Sequence, residues 1–163
     1  MDYKVPAQTR IGHVHLKVAD IERSLQFYCE LLGFEITQRY GPSAVFISAG
    51  GYHHHIGLNT WHSKGAPPPP VRSTGLYHFA IVYPTRKDLA VVVQRLITAQ
   101  YPLTGAADHG VSEAIYLNDP DGNGVELYWD KPTDIWTYDA DGNLNMITEA
   151  LAMQDLLALA ADE

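Results

Sequence analysis

One feature constrains this chain above the rest. The same order of short elements, strand, helix and then three strands, can be read twice within 163 residues. In 11–61, IGHVHLKVA alternates and is β-branched, as a half-buried strand is. Asp20 stands as N-cap of a helix, IERSLQFYCELL, with Ile21, Leu25, Cys29 and Leu32 on one stripe and Gly33 as its stop. FEITQRY, SAVFISAG and HHHIGLNTW read as three further strands between Gly-Pro and Gly-Gly turns. In 76–129 the order recurs. LYHFAIVY is a strand, and Thr85 caps RKDLAVVVQRLITAQ, with Leu89, Val92, Val93, Leu96 and Ile97 facing inward. YPLTGAAD, SEAIYLND and GVELYWD follow, the last two around the turn DPDGNG.

The expected fold is α+β. Two βαβββ modules, 11–61 and 76–130, make one domain over 10–130 and pair their sheets into a cup. The Pro-rich connection 62–75 reads as an extended linker. An extension, 131–163, carries a helix in ITEALAMQDLLALAADE, with Ala150, Leu151, Leu156, Leu157 and Leu159 apolar.

The repeat also selects candidate site residues. Gly12-His13-Val14-His15-Leu16 parallels Tyr77-His78-Phe79-Ala80-Ile81, and His55-Ile56-Gly57-Leu58 parallels Gly124-Val125-Glu126-Leu127. Positions 13, 57, 78 and 126 are therefore equivalent points on the cup. His13, His78 and Glu126 carry metal-ligand side chains, and Gly57 carries none. Two neutral imidazoles and one carboxylate with open positions form the facial set used for non-haem Fe(II) and oxygen chemistry. A protein ligand at the fourth position would suit a more closed Zn or Ni site.

Composition narrows the partners. Eleven Lys and Arg against nineteen Asp and Glu give a formal charge of −8, which argues against nucleic acid and anionic membrane surfaces. Apolar runs are far shorter than the ~20 residues of a membrane span. The start, MDYKVPAQTR, lacks a signal peptide's apolar core, and Cys29 has no intrachain disulfide partner. A cytoplasmic protein is expected.

Over about 10–130 the chain resembles the vicinal-oxygen-chelate superfamily of glyoxalase I, extradiol ring-cleaving dioxygenases, and fosfomycin- and bleomycin-resistance proteins. The opening Gly12-His13-Val14-His15-Leu16, then Asp20 to Tyr28 and Leu32-Gly33-Phe34, is shared by all branches. In the family the first histidine of this strand is the ligand, which implies His13. His15 has the same parity and stays a substrate-contact candidate. A second stretch is more specific. His109-Gly110-Val111-Ser112-Glu113-Ala114-Ile115-Tyr116-Leu117-Asn118-Asp119-Pro120-Asp121-Gly122-Asn123-Gly124-Val125-Glu126 resembles the extradiol dioxygenase signature. A third, His54-His55-Ile56-Gly57-Leu58, resembles the segment that supplies the acid/base histidine of those enzymes. It implies His55, with His53 and His54 as alternatives.

The resemblance thus implies an extradiol, catechol-type dioxygenase acting on a small aromatic diol with O2. Its metal would be Fe(II), or Mn(II), held by His13, His78 and Glu126. His55, His109 and Tyr116 would be catalytic. A homodimer is the expected assembly. The rivals are a glyoxalase-like isomerase with Zn or Ni, a non-catalytic resistance-type binding protein and a fosfomycin-type transferase. Asp119, Asp121, Asn123 and Asp130 imitate a calcium loop, but strand-like flanks make a β-turn the expected structure.

Overall fold

Each copy of the repeat forms a four-stranded mixed sheet, and the two sheets have the same strand order. These are features of a computed structural model that describes residues 3–161. The chain divides into two compact units, 1–67 and 68–163. The first holds β1 (Val14–Lys17), α1 (Ile21–Leu25), β2 (Glu35–Tyr40), β3 (Ala44–Ser48) and β4 (Ile56–Asn59), with sheet order β1-β4-β3-β2. The second holds β5 (Phe79–Val82), α2 (Arg86–Thr98), β6 (Leu103–Asp108), β7 (Ser112–Asn118) and β8 (Gly124–Asp130), with sheet order β5-β8-β7-β6. A 3₁₀ turn, Thr133–Ile135, and a helix α3, Met153–Ala161, follow.

The repeat holds at the level of single residues. In each unit the first strand runs parallel to the last, and the other pairings are antiparallel. Val14 pairs with Ile56 and His15 with Gly57; Phe79 pairs with Val125 and Ala80 with Glu126. Positions 13 and 78 therefore match, as do 57 and 126. Both units also carry a bulge at the same point, between Ile36 and Gln38 and between Leu103 and Gly105. The extra residue is a threonine in each, Thr37 and Thr104. A bulge bends its strand and re-aims neighbouring side chains.

Helix caps follow the sequence. The Asp20 carboxylate accepts from the Arg23 N–H, and Thr85 forms a reciprocal capping box with Asp88. The first helix departs from expectation after one turn. Residues Gln26–Leu31 form a π-helical turn, with the Leu32 N–H reaching the Phe27 carbonyl. The extra residue shifts the stripe, so Phe27 and Tyr28 are buried while Cys29 is only half-buried. In α2, Leu89, Val92, Val93 and Leu96 are buried as expected, but Ile97 is exposed.

Two further readings are corrected. The expected strand HHHIGLNTW is a strand only at Ile56–Asn59; His53, His54 and His55 precede it as irregular chain. The C-terminal helix starts at Met153, because residues 147–149 pair backbone to backbone with Asp108 and His109 instead. Leu156 alone of the expected apolar positions is fully buried, where α3 packs on α2. The end of the expected helix, Asp162 and Glu163, lies outside the described residues. DPDGNG joins two strands as a turn, with Asp119 Oδ1 accepting from the N–H groups of Asp121 and Asn123. Among the described residues no helix is long and apolar enough to cross a membrane.

Candidate functional site

Strand alternation decides which side chains share a face in the second unit. Val125 and Leu127 of β8, with Ile115 and Leu117 of β7, are buried. The alternate positions Glu126 and Tyr116, paired across the ladder, point to the other face and are half-buried. His78 precedes β5, next to β8. Its Nε2 lies 3.0 Å from Glu126 Oε2. The Tyr116 hydroxyl lies 3.2 Å from Glu126 Oε1 and 2.7 Å from His109 Nε2. Four sequence-predicted residues thus form one continuous relay, His109–Tyr116–Glu126–His78.

Glycine makes part of this possible. A Cβ on Gly124 would collide with the Tyr77 carbonyl oxygen and lie 2.9 Å from the His78 Cβ. Only a bare backbone lets His78 approach β8 so closely. Beside the relay is a cavity of about 540 Å³ lined by Tyr77, His78, Gly105, Tyr116, Asn118 and Val125, among others. That volume suits a small-molecule ligand. Burial and the nearby Glu126 carboxylate push the Tyr116 phenol up to about 12, so it stays protonated and can donate.

The His78–Glu126 pair fits a divalent cation. Two donors bound cis on an octahedral ion, each at about 2.1 Å, stand about 3.0 Å apart, and that is the observed separation. A neutral imidazole nitrogen and a carboxylate oxygen are donors that Fe, Mn and Zn all accept. Within neither unit do three His, Cys, Asp or Glu side chains gather into a metal-holding group among the described residues.

The remaining predicted residues belong to the first unit. His13 is exposed just before β1, and its ring lies 4.4 Å from that of His54. His54 also meets Phe46, at 5.0 Å, and its Nδ1 is 2.8 Å from Nδ1 of His53. His15 lies over Gly57, where an added Cβ would be 2.9 Å from the imidazole, and it contacts Phe46 and Trp61. Burial, then the adjacent His13, lowers the His15 and His54 pKa values and favours neutral rings. His55 instead contacts Ser48, with Nδ1 2.9 Å from its hydroxyl and 3.3 Å from the donating Ala49 N–H. That donor leaves the ring proton on Nε2 when His55 is neutral.

In a regular strand His53 and His55 would share one face, whereas in the irregular chain His54 is the neighbour of His13. Sequence reasoning also missed the partner of His109. The Ile147 carbonyl lies 2.9 Å from His109 Nδ1. The only local hint of a close approach is Gly110, which has a φ of +77°.

Comparisons with known proteins agree with this architecture. A family model described as the Glyoxalase/Bleomycin resistance protein/Dioxygenase superfamily matches residues 10–127. A catechol-2,3-dioxygenase of Bacillus subtilis (strain 168) is 43% identical over 156 residues, covering 95% of this chain and 53% of that protein. Biphenyl-2,3-diol 1,2-dioxygenase 3 of Rhodococcus globerulus is 30% identical over 121 residues, covering 74% of this chain and 63% of that protein. The chain thus spans between half and two thirds of these relatives. The crystal structure of lactoylglutathione lyase from Agrobacterium tumefaciens superposes with a TM-score of 0.59 at 18% identity, over 76% of this chain and 96% of that one. This last likeness concerns the fold alone.

Proposed function

The chain belongs to the glyoxalase/bleomycin resistance protein/dioxygenase superfamily, and from that premise we propose that it is a metal-dependent extradiol dioxygenase that opens small catecholic rings with O2. The observation that carries this reading is the relay His109–Tyr116–Glu126–His78 beside a cavity of about 540 Å³. The 43% identity to a catechol-2,3-dioxygenase supports it independently.

In this proposal His78 and Glu126 would hold Fe(II), or Mn(II), and His13 is the third donor that the family resemblance implies. Such an ion would supply positive charge that acidifies the diol hydroxyls. The residues do the rest. Tyr116 would hydrogen-bond the diol oxygens and orient the ring, and His109 would act through its bond to the Tyr116 hydroxyl. His55 is the acid/base group that the family resemblance implies; its one basic nitrogen, Nδ1, accepts from the Ala49 N–H, so it would take a diol proton only once that bond is released. Gly57 supplies no donor, which speaks against the lyase alternative and its closed Zn or Ni site.

The test is anaerobic loading with Fe(II), then O2 uptake on a panel of catechols. The expected result is stoichiometric uptake with a ring-opened product. No uptake on any catechol, with hemithioacetal turnover by the Ni- or Zn-loaded chain, would replace this reading with the lyase.

A further inference from the structure

The segment after the family-matching residues 10–127 reaches back into the relay. Residues 145–149 lie along the end of β6 and the turn that follows it. The Asp108 N–H donates to the Glu149 carbonyl at 3.0 Å, and the Glu149 N–H to the Asp108 carbonyl at 2.9 Å. The Ile147 N–H donates to the His109 carbonyl at 3.1 Å. The side chain of His109 then closes the loop, with Nδ1 2.9 Å from the Ile147 carbonyl oxygen and 3.4 Å from the Thr148 hydroxyl. Gly110 makes room for the strap, since a Cβ there would lie 3.2 Å from Ile147 Cγ1.

A carbonyl oxygen only accepts. His109 must therefore carry its proton on Nδ1 to bond Ile147, which leaves the Nε2 lone pair facing the Tyr116 hydroxyl at 2.7 Å. Tyr116 has one proton and two acceptors within reach, His109 Nε2 and, at 3.2 Å, Glu126 Oε1. We propose that the Ile147 carbonyl is a positioning group that locks His109 as the Nδ1–H tautomer. The lock draws the Tyr116 proton to His109 and leaves the Glu126 carboxylate its full set of lone pairs. Without the strap, His109 is free to hold its proton on Nε2 and donate to the Tyr116 oxygen. The Tyr116 proton then turns to Glu126 Oε1 and draws negative charge from the carboxylate whose other oxygen, Oε2, faces His78 and the cation. The tautomer follows from the hydrogen bonds alone; its effect on metal binding rests on the proposed function above.

The test uses the full chain labelled with ¹⁵N-histidine, at a pH above the imidazole range, with His109→Gln identifying the signals. Long-range ¹H–¹⁵N correlation is expected to show a pyrrole-type Nδ1 and a pyridine-type Nε2. A wild-type ring protonated on Nε2 overturns the proposal without any variant having to fold. The double variant Ile147→Pro/Glu149→Pro removes two strap N–H donors. It is expected to admit the Nε2–H form and to bind Mn(II) about tenfold more weakly, as losing an outer-shell partner does. Tyr116→Phe in that background, having no proton to give Glu126, should restore affinity. A folded double variant that keeps the pure Nδ1–H ring overturns the strap's role. A wild-type Nδ1–H ring in a chain that takes up neither Mn(II) nor, under anaerobic conditions, Fe(II) supports the strap and overturns the dioxygenase reading.

Discussion

The two units share strand order, register and the position of a threonine bulge, yet their equivalent positions hold different chemistry. Tyr116 and Glu126 pair across the second sheet where Phe46 and Gly57 pair across the first. Ala80 stands where the first unit has His15. In the first unit an imidazole lies over a bare glycine against Phe46 and Trp61. In the second a carboxylate reaches out toward His78 and a phenol. The backbone lattice is common property, and the acid chemistry sits on one copy. Function here resides in which side chain occupies a lattice point, not in the lattice.

That asymmetry can be broken most severely at Glu126. Replacing it with Gln keeps shape and one oxygen but removes the charge a divalent ion needs. Fe(II) or Mn(II) retention should fall by at least ~100-fold, with turnover following. Gly57→Glu restores a carboxylate at the equivalent point and should not rescue the loss, because the His15 ring occupies that space. Rescue by Gly57→Glu would show the two points to be interchangeable. The glycines sharpen the same contrast. Gly124→Ala drives a Cβ into the Tyr77 backbone oxygen and should cost about 3 kcal/mol in denaturant unfolding. Gly57→Ala meets a side-chain ring that can turn aside, and should cost about 1 kcal/mol. Equal costs would mean that the second unit tolerates backbone adjustment as readily as the first.

A milder exchange copies one unit into the other. Tyr116→Phe places in β7 the ring that β3 has at position 46. Removal of a hydroxyl bonded to His109 and Glu126 should change stability by about 1 kcal/mol. Catechol turnover should drop about 100-fold while Mn(II) affinity holds. Unchanged turnover would remove Tyr116 from the proposed chemistry.

Much of this was legible from residue order. The repeat fixed which strands are equivalent, and Asp20, Thr85 and Gly33 marked helix ends by local chemistry that needs no tertiary context. The relay was legible because register turns sequence spacing into proximity: ten residues and one hairpin bring Tyr116 opposite Glu126. What resisted reading depends on contacts distant along the chain. Nothing local marks a π turn at Gln26–Leu31, where the adjacent Phe27 and Tyr28 are both buried. Periodicity counted HHH as strand, but strand pairing begins only at Ile56, so parity could not rank His53, His54 and His55. The hold of Ile147 on His109 is a backbone contact 38 residues apart, and backbone atoms leave no signature in side-chain pattern.

The smallest effect concerns ion pairs, compared through one chosen from each unit. Arg39 and Glu22 meet at 2.7 Å in the first unit but are exposed, so Glu22→Gln should leave the thermal midpoint within error. In the second unit Lys131 Nζ contacts both oxygens of Asp108 at 2.7 Å in a half-buried setting where the strap is anchored. Burial raises the Asp108 pKa, but the Lys131 ammonium and the Gly110 N–H outweigh it and hold the carboxyl below the usual range. A carboxylate depressed on folding stabilises above its unfolded pKa of about 3.9 and loses that contribution as pH falls through the folded value. Lys131→Met should therefore lower stability by about 1 kcal/mol at neutral pH, a figure reduced for partial solvent exposure. The gap from wild type should close once the pH falls below the folded value. A gap that persists in strong acid would assign the effect to packing of the Lys131 stem, and the two ion pairs would then differ in burial without differing in charge.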